Sequence, residues 1–482
     1  MKSQTLDVAS RFVYDAFRID ASSNTLSCHY RLDDWHFTET ITLPGSGDWS
    51  TPAVHEAARL VFLLAGVSYY KAGAPPVIDL GDHAVTDVER AFLREYYVDG
   101  LGEFAYRSQP RLDLTGLEIR GPRLERPAPV GFSPRAGSPL IPFGGGVDSI
   151  VTVELLRGHA SHASLFVVNR PGDRFDAIEK PAAVTGLPMV RAERMLDPKI
   201  LRSAELGFRN GHVPVTGVIS AIAVLAAAVG GHDAVVMSNE WSASVGTVQL
   251  DGRSINHQYS KSMSFETGFR QVISDAIGGN AARGAGDGTG ASTRAGIEYF
   301  SMLRPFTELW IARRFAELPQ YFGTFRSCNR AFHIDHAKRL DHWCGRCDKC
   351  AFIDLILAPF VDAATLREVF EPSAEPLENP AMVASFGTLL GLIPDAKPWE
   401  CVGDVNECRV AVQLAALRPD RAHTHLVQDL ALRVSDPGGS ARVEPTIAAD
   451  ALLKPVGQHH IPHRYLPSDL VPVDTAAPDS AR

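Results

Sequence analysis

The chain has little that would tie it to a membrane, to nucleic acid or to an oxidising compartment. Its longest apolar run, Val213 to Val229, is interrupted by Pro214, Thr216, Gly217 and Ser220. A run so broken is marginal for spanning a bilayer, and a buried helix packing through small residues is expected instead. The first residues, MKSQTLDVASRF, lack the apolar centre of a secretory signal. Basic residues number 47 against 56 acidic ones, a net charge of −9, so no global basic field draws in nucleic acid. Cysteines number only seven, and Cys28, Cys401 and Cys408 stand as singletons. Such usage does not describe a disulfide framework. These absences predict a cytoplasmic protein with no membrane or nucleic-acid partner, and they leave its oligomeric state open.

What is present fits a globular enzyme. Hydrophobic residues make up 45% and charged residues 21% of 482 residues, enough for two or three domains with ordinary cores. The organising stretch is LIPFGGGVDSIVTVELL, from Leu140 to Leu156. It reads as a short buried strand, a glycine turn and an amphipathic helix. Gly144, Gly145 and Gly146 open backbone conformations closed to other residues and let a ligand approach. Asp148 and Ser149 fall at the helix start, where such residues cap free N–H groups. Those N–H groups and the helix dipole favour an anion, most naturally phosphate. No Gly-Lys-Ser/Thr follows, which excludes a Walker A loop.

The remainder divides by pattern. Residues 1–130 read as an α+β domain with a hairpin over Thr25 to Leu43, ended by the Pro-Gly-Ser-Gly at 44–47, and helices near 54–70 and 85–97. Residues 131–375 alternate strand and helix. Strands are expected at 164–168, 189–190 and 234–237, with helices at 175–185 and 215–229. That alternation predicts an α/β fold with a parallel sheet, whose ligands sit beyond the carboxyl ends of the strands. A helical pattern is read over 297–322, and 278–295 reads as a Gly/Ala-rich insert, with a lid over the site the less favoured reading. Residues 376–453 look mainly helical. Residues 454–482 read as a disordered tail, in which His459, His460 and His463 are a weak metal signal.

Three groups of residues could carry chemistry. Cys328, Cys344, Cys347 and Cys350 follow a C-x15-C-x2-C-x2-C spacing. Four thiolates suit a tetrahedral structural zinc with no open position, and Gly345 eases the turn between them. The segments SNEWSAS, 238–244, and NHQYSKS, 256–262, are dense in polar groups; Glu240, His257, Tyr259 and Lys261 can all handle protons. A solvated loop with local turn hydrogen bonds accounts for their composition equally well. Glu266 is a further candidate. Arg304, followed by Pro305, reads either as an ordinary helix start or as a salt-bridging or phosphate-binding group.

Taken together, FGGGVDS, SNEWSAS, NHQYSKSMSFE, YFSMLRPFTELWIA, SCNRAF, WCGRCDKCAF and the later ECVGDVNECRVA resemble the MurL family, the UDP-N-acetylmuramoyl-L-alanyl-L-glutamate epimerases of peptidoglycan precursor synthesis. The glycine loop also resembles the SGGxDS loop of the PP-loop ATP pyrophosphatase superfamily, with Phe143 where many members have Ser. The cysteine group resembles that of the QueC family, the 7-cyano-7-deazaguanine synthases. The resemblance implies a Rossmann-like parallel sheet of the PP-loop type. It implies ATP, Mg2+ and structural Zn2+ as cofactors, and UDP-MurNAc-L-Ala-L-Glu as substrate. The activity implied is inversion of the terminal L-Glu through an acyl-adenylate, with release of AMP and diphosphate. By this resemblance Gly144, Gly145, Gly146 and Ser149 would hold the pyrophosphate, with Asp148 near the Mg2+. Lys261 and His257 would transfer protons, with Glu240 positioning or assisting. Arg304 and Arg326 would meet carboxylate or diphosphate groups of the substrate. The alternatives are another PP-loop synthetase, nitrile- or amide-forming, and a zinc-stabilised nucleotide- or RNA-binding module.

Overall fold

A computed structural model describes residues 9–279, 296–393, 399–435 and 445–470, apart from 46, 127, 251, 468 and 469. Its frame is one ten-stranded sheet. Five strands form a parallel half: Arg135–Pro142, Ser164–Asn169, Met189–Met195, His232–Met237 and Glu298–Ser301. Numbered along the chain, they lie in the order 3-2-1-4-5, that of a doubly wound nucleotide-binding sheet. The alternation read from the sequence therefore closes as a Rossmann-like fold. Residues 298–301 were read as part of a helix; they instead form the fifth strand, and Glu308–Ala316 is the helix that follows. The run Glu298–Ser301 is too short for its apolar period to be told from a helix turn.

Successive side chains of these strands serve opposite cores, as the period of two requires. Leu140, Phe166, Val235 and Tyr299 face one core, which includes the helix Val215–Gly230. Ile141, Leu165, Val236 and Phe300 face the other, shared with the helices Val147–Leu156 and Glu308–Ala316. The helix Val215–Gly230 is buried through small residues as expected; a side chain at Gly217 would stand 2.7 Å from the ring of Tyr96. No described helix is long and apolar enough to cross a membrane.

The strands Thr25–Leu32 and Trp35–Thr42 form the expected hairpin, and Phe12–Asp20, not read from the sequence, pairs antiparallel with its first strand, but they do not stand apart. Thr40–Thr42 pairs antiparallel with Glu193–Met195, so the sheet runs unbroken from the parallel half into the N-terminal part. Across that seam Arg194 donates to both carboxylate oxygens of buried Glu39, at 2.7 and 3.2 Å, and to Ser68 Oγ at 3.0 Å. A buried carboxylate is tolerated where such bidentate donors satisfy it.

The C-terminal region is helical as read, over Val383–Leu389, Val405–Ala416, His425–Ser435 and Pro445–Leu452. The tail differs from expectation over 454–467, which packs against the parallel half. Tyr465 is fully buried, and its hydroxyl donates to Asp233 at 2.9 Å. Val456 N donates to Pro305 O at 2.8 Å. Prolines gave that segment a disordered look, yet its few apolar side chains find a ready-made surface. His460 bonds Thr267 Oγ1 at 3.0 Å and His459 accepts from Ile461 N at 3.2 Å. These histidines do not join a ligand set among the described residues. Most of the 278–295 insert, from 280 on, lies outside the described residues, as do 471–482 of the tail; Ile277–Gly279 is a short strand beside Val130–Phe132.

Candidate active site

The sheet order reverses between Arg135–Pro142 and His232–Met237, and the segments leaving both strands meet there. The glycine loop leaves the first. Gly145 has φ +74°, and a Cβ on it would lie 2.0 Å from the carbonyl oxygen of Ala177. No side chain other than hydrogen fits. A Cβ on Gly146 would reach Ser327 Oγ at 2.6 Å, whereas Gly144 faces open space. The N-cap of the helix Val147–Leu156 is Gly146, with no side-chain cap. Asp148 and Ser149 do not cap it as expected; Ser149 Oγ donates back to Gly146 O at 3.1 Å. The helix start is therefore left to a ligand.

Arg326 lies against this loop, its main-chain N–H directed to Gly145 O at 3.4 Å. Its Nε is buried and has no partner, and burial lowers its pKa. Ser238 Oγ, Ser242 Oγ and Gln258 Oε1 are likewise buried without partners. Buried polar atoms are rarely left so. The orphans at Arg326 beside the loop, and in the 238–244 and 256–262 segments, are groups that a polar ligand would satisfy. An ATP phosphate chain suits the donor set of uncapped helix, serine and arginine.

The second strand delivers Asn239 and Glu240. Ser301, ending the fifth strand, exchanges hydrogen bonds with the main chain of Asn239 at 2.5 and 2.7 Å. Asn256 to Ser262 fold as a tight turn rather than a solvated loop. Asn256 Nδ2 donates to Ala243 O at 2.8 Å, and Tyr259 OH to Glu95 Oε1 at 3.0 Å. Arg304 ties the two segments together. It is 1% exposed, pairs with Glu266 at 3.0 Å, and donates to Glu240 O at 2.9 Å and Lys261 O at 2.6 Å. Its guanidinium is thus occupied within the protein, a setting for positioning the site rather than for reaching substrate.

The result is a cluster of opposed charges over the glycine loop. Asp148 keeps partial solvent access although protein surrounds it, as at the floor of a cleft. Burial and the nearby Glu240 push its pKa up to about 7, against Lys261 and Lys349. Burial, then Asp148 and Glu240, hold Glu308 well above the carboxylate range. Lys261 moves the other way: burial opposes its charge, but Cys401, Glu240 and Asp148 outweigh it and raise its pKa. Carboxyl groups held above their ordinary range and facing a firmly protonated lysine are suited to proton transfer and to a divalent cation.

Beside Lys261 lies a second group, of which the sequence singled out His257 but not Glu103 or His212. His257 Nδ1 is hydrogen-bonded to Glu103 from the N-terminal part, and its ring lies 4.4 Å from that of His212. Donor atoms of Glu103, His212 and His257 fall within 4.8 Å of one another. Since the carboxylate is already engaged by His257, the trio reads as an imidazole held by its acid. Trp399 packs at 6.3 Å from His257 and 5.6 Å from Tyr106. A cleft of about 370 Å3 opens next to it, lined by Tyr106, Arg111, Arg253 and Ile255 among others. Glu103, Lys349, Trp399 and Cys401 are separated by up to 298 residues (401 − 103), and only the fold gathers them. The one sequence signal was ECVGDVNEC, quoted for resemblance but read there without a role.

The four cysteines do converge. Their sulfurs lie within 4.8 Å of one another, with Cys344–Cys350 at 3.7 Å and Cys347–Cys350 at 3.5 Å. Tetrahedral thiolates at ~2.3 Å from a zinc ion stand about 3.8 Å apart, so the set fits that metal. Gly345 makes the turn with φ +64°, where a Cβ would meet Ala374 O at 2.5 Å. Lys349 projects from between two of these cysteines into range of Asp148 and Cys401.

Fold and site define a doubly wound α/β protein whose glycine loop, at an uncapped helix start, faces a cluster of charged side chains. Residues 3–282 match the MurL N-terminal domain and residues 324–444 the MurL C-terminal domain. The chain belongs to the MurL family. It is 35% identical to the UDP-N-acetyl-alpha-D-muramoyl-L-alanyl-L-glutamate epimerase of Xanthomonas oryzae pv. oryzae, covering 94% of this chain and 95% of that one. It is 34% identical to the protein of that name from Salinispora tropica, with 96% of each chain covered. It is 33% identical to that of Micromonospora sp., with 96% and 99% covered. No solved structure matches.

Proposed function

We propose that the chain inverts the terminal L-glutamate of UDP-MurNAc-L-Ala-L-Glu to D-glutamate, consuming ATP to AMP and diphosphate. The observation that carries the reading is the uncapped glycine loop opposite Lys261, Asp148 and Glu240, in a chain that aligns nearly end to end with epimerases. An α-proton beside a free carboxylate is hard to remove, because the enolate would bear a second negative charge. Adenylation converts the carboxylate to a mixed anhydride and leaves one charge to delocalise. Each factor of ten in rate is about 1.4 kcal/mol of barrier, so this activation removes much of what the protein bases would otherwise supply.

In this reading the sheet is of the PP-loop type. Gly144, Gly145, Gly146, Ser149 and Arg326 hold the phosphates, and Asp148 stands beside Mg2+, which supplies charge neutralisation when bound. Lys261 and His257 act in proton transfer with Glu240 positioning, and Arg304 holds Glu240 and Lys261 in place. Arg111 and Arg253 along the cleft suit the anionic UDP-sugar. Zinc at Cys328, Cys344, Cys347 and Cys350 is structural. The cytoplasm, where ATP is plentiful, is the compartment assigned.

The test is turnover of UDP-MurNAc-L-Ala-L-Glu with ATP and Mg2+ in D2O, reading AMP release and the chirality of hydrolysed glutamate. D-Glu carrying α-deuterium, with AMP formed, is expected. AMP without inversion would turn the assignment to a PP-loop synthetase with another acceptor.

A further inference from the structure

We propose that the cleft beside Trp399 seats the uridine diphosphate end of the substrate, with the base in its apolar slot, the ribose at Asp99 and Asp113, and the diphosphate at Arg111 and Arg253. The proposal rests on the epimerase reading above and places the end of that substrate which does not react. The cleft has two walls. One is the turn between the helices Asp87–Val98 and Gly102–Arg107, with the 111–115 segment that follows. The other is the hairpin of Val248–Leu250 with Arg253–Ile255, which stands outside the main sheet. A two-stranded hairpin is marginal alone, and here the first wall holds it. Arg253 Nη2 donates to Asp99 Oδ1 at 2.8 Å, and a Cβ on Gly102 would stand 3.3 Å from Ile255 Cγ2.

Reach favours this cleft. From Ile255 the chain arrives at His257 within two residues, about 7 Å of extended backbone. In the substrate an alanyl unit, a lactyl unit and a sugar ring separate the reacting carbon from the diphosphate, about 10 Å or somewhat more at ~3.5 Å per extended unit. A substrate with its glutamyl end at His257 and Lys261 therefore brings its diphosphate to the cleft. A second cavity, of about 460 Å3, is lined by Met189 and His232, the residues that begin their strands. It lies towards the amino ends of the parallel strands, away from the glycine loop, where ligands of such sheets do not sit.

The lining matches a nucleoside diphosphate in its chemistry. Val98, Ala105, Leu114, Leu250 and Ile255 give apolar walls for the faces of a pyrimidine. Asp99 and Asp113 offer acceptors to a ribose diol, as acidic side chains do in dinucleotide sites. Each keeps Oδ2 for that purpose: Asp99 meets Arg253 through Oδ1, and Asp113 accepts from Thr115 N and Oγ1, at 2.8 and 2.6 Å, through Oδ1. Arg111 and Arg253 supply planar donors for phosphate. The Arg111 guanidinium lies 4.7 Å from the centre of the Tyr106 ring and, among the described residues, pairs with no carboxylate. Tyr106 stands 5.6 Å from Trp399, and Trp399 6.3 Å from His257. This row of rings runs from the cleft to the charged cluster, and the sugar and dipeptide lie along it.

The test is titration calorimetry of the full chain with UDP, in the absence of ATP. Wild type is expected to bind UDP, and excess ATP should not displace it. Arg111→Glu and Arg253→Ala should each weaken UDP binding at least about tenfold, the loss of one charge-assisted contact. Arg174→Ala, at the second cavity, should leave it within about twofold. In turnover with ATP, Arg111→Glu should raise KM for UDP-MurNAc-L-Ala-L-Glu at least about tenfold while KM for ATP stays within about threefold. No UDP binding by wild type, unchanged binding in both cleft variants, or a loss confined to Arg174→Ala overturns the proposal. Displacement of UDP by ATP overturns it too, since the cleft would then hold the adenine nucleotide. A second measurement needs no variant. UDP should slow amide hydrogen exchange of wild type over 98–115 and 248–255, and protection confined to other segments overturns the proposal. UDP bound as expected by a protein that forms no D-Glu overturns the epimerase reading instead.

Discussion

Arg304 Nη2 donates to the main-chain carbonyl of Lys261 at 2.6 Å, from a guanidinium that is almost wholly buried. The same group donates to Glu240 O and pairs with Glu266, so one side chain sets two site segments against each other. Lysine cannot reproduce that planar fork. Arg304→Lys is expected to lower kcat about tenfold or more with little change in KM for ATP, read by steady-state kinetics. Arg304→Ala leaves Glu266 buried and unpaired and should cost about 3–5 kcal/mol in denaturant unfolding.

Neighbouring glycines of the loop should answer differently. A Cβ at Gly145 meets the Ala177 carbonyl at 2.0 Å on a backbone with φ +74°. Gly145→Ala is expected to abolish substrate-dependent AMP release and to destabilise the protein by more than about 1 kcal/mol. Gly144→Ala, into open space, should leave stability within about 0.5 kcal/mol. A Gly144→Ala variant as unstable as Gly145→Ala in thermal unfolding would count against this picture of the loop.

The cysteine knot should hold one zinc per chain by elemental analysis. Cys347→Ser, or removal of metal by a strong chelator, is expected to lower the melting temperature by several degrees. Because Lys349 sits between two of the ligands, AMP release should fall with it. Zinc restored to the chelated wild type should restore both.

Glu407 reports on pH. It is fully buried, accepts from Leu309 N at 3.1 Å, and burial pushes its pKa up to about 8. An unfolded glutamate titrates near 4.3. Its stabilising contribution is therefore complete below about 4.3 and is lost as pH rises towards 8, by up to about 1.4 kcal/mol per pH unit. Glu407→Gln removes this dependence. Denaturant unfolding at pH 6 and pH 8 should show a smaller fall for the variant than for wild type, and equal falls would refute the assignment.

Much of the parallel half was legible because its signals are local. The strand at 164–168, the helix at 215–229 and the glycine turn each announce themselves within about a dozen residues. The cysteines were legible by spacing, since Cys-x-x-Cys steps bring sulfurs together over one turn. The Glu298–Ser301 strand was not, because four residues, Glu-Tyr-Phe-Ser, are too few to show a period. The 454–467 segment was not, because its order comes from contacts such as Tyr465 with Asp233. Arg304 was read as an ordinary helix start or as a salt-bridging or phosphate-binding group; the salt bridge is present, but its partner Glu266 and the carbonyls of Glu240 and Lys261 become neighbours only after folding.

The sequence by itself determined the doubly wound core, the glycine loop at a helix start and the four-cysteine set, since hydrophobic period, glycine and cysteine spacing act over short range; that the helix start is uncapped is known only from the structure. The tertiary structure alone decided which charged and polar groups gather around Lys261 and His257. Glu103, His257, Lys349 and Cys401 come from four separate segments, and a charge or a thiol carries no periodic signal of where it will be buried. The ionisation of Glu103, His257 and Cys401 is set by neighbours, through desolvation and Coulombic contact that exist only once the chain has folded.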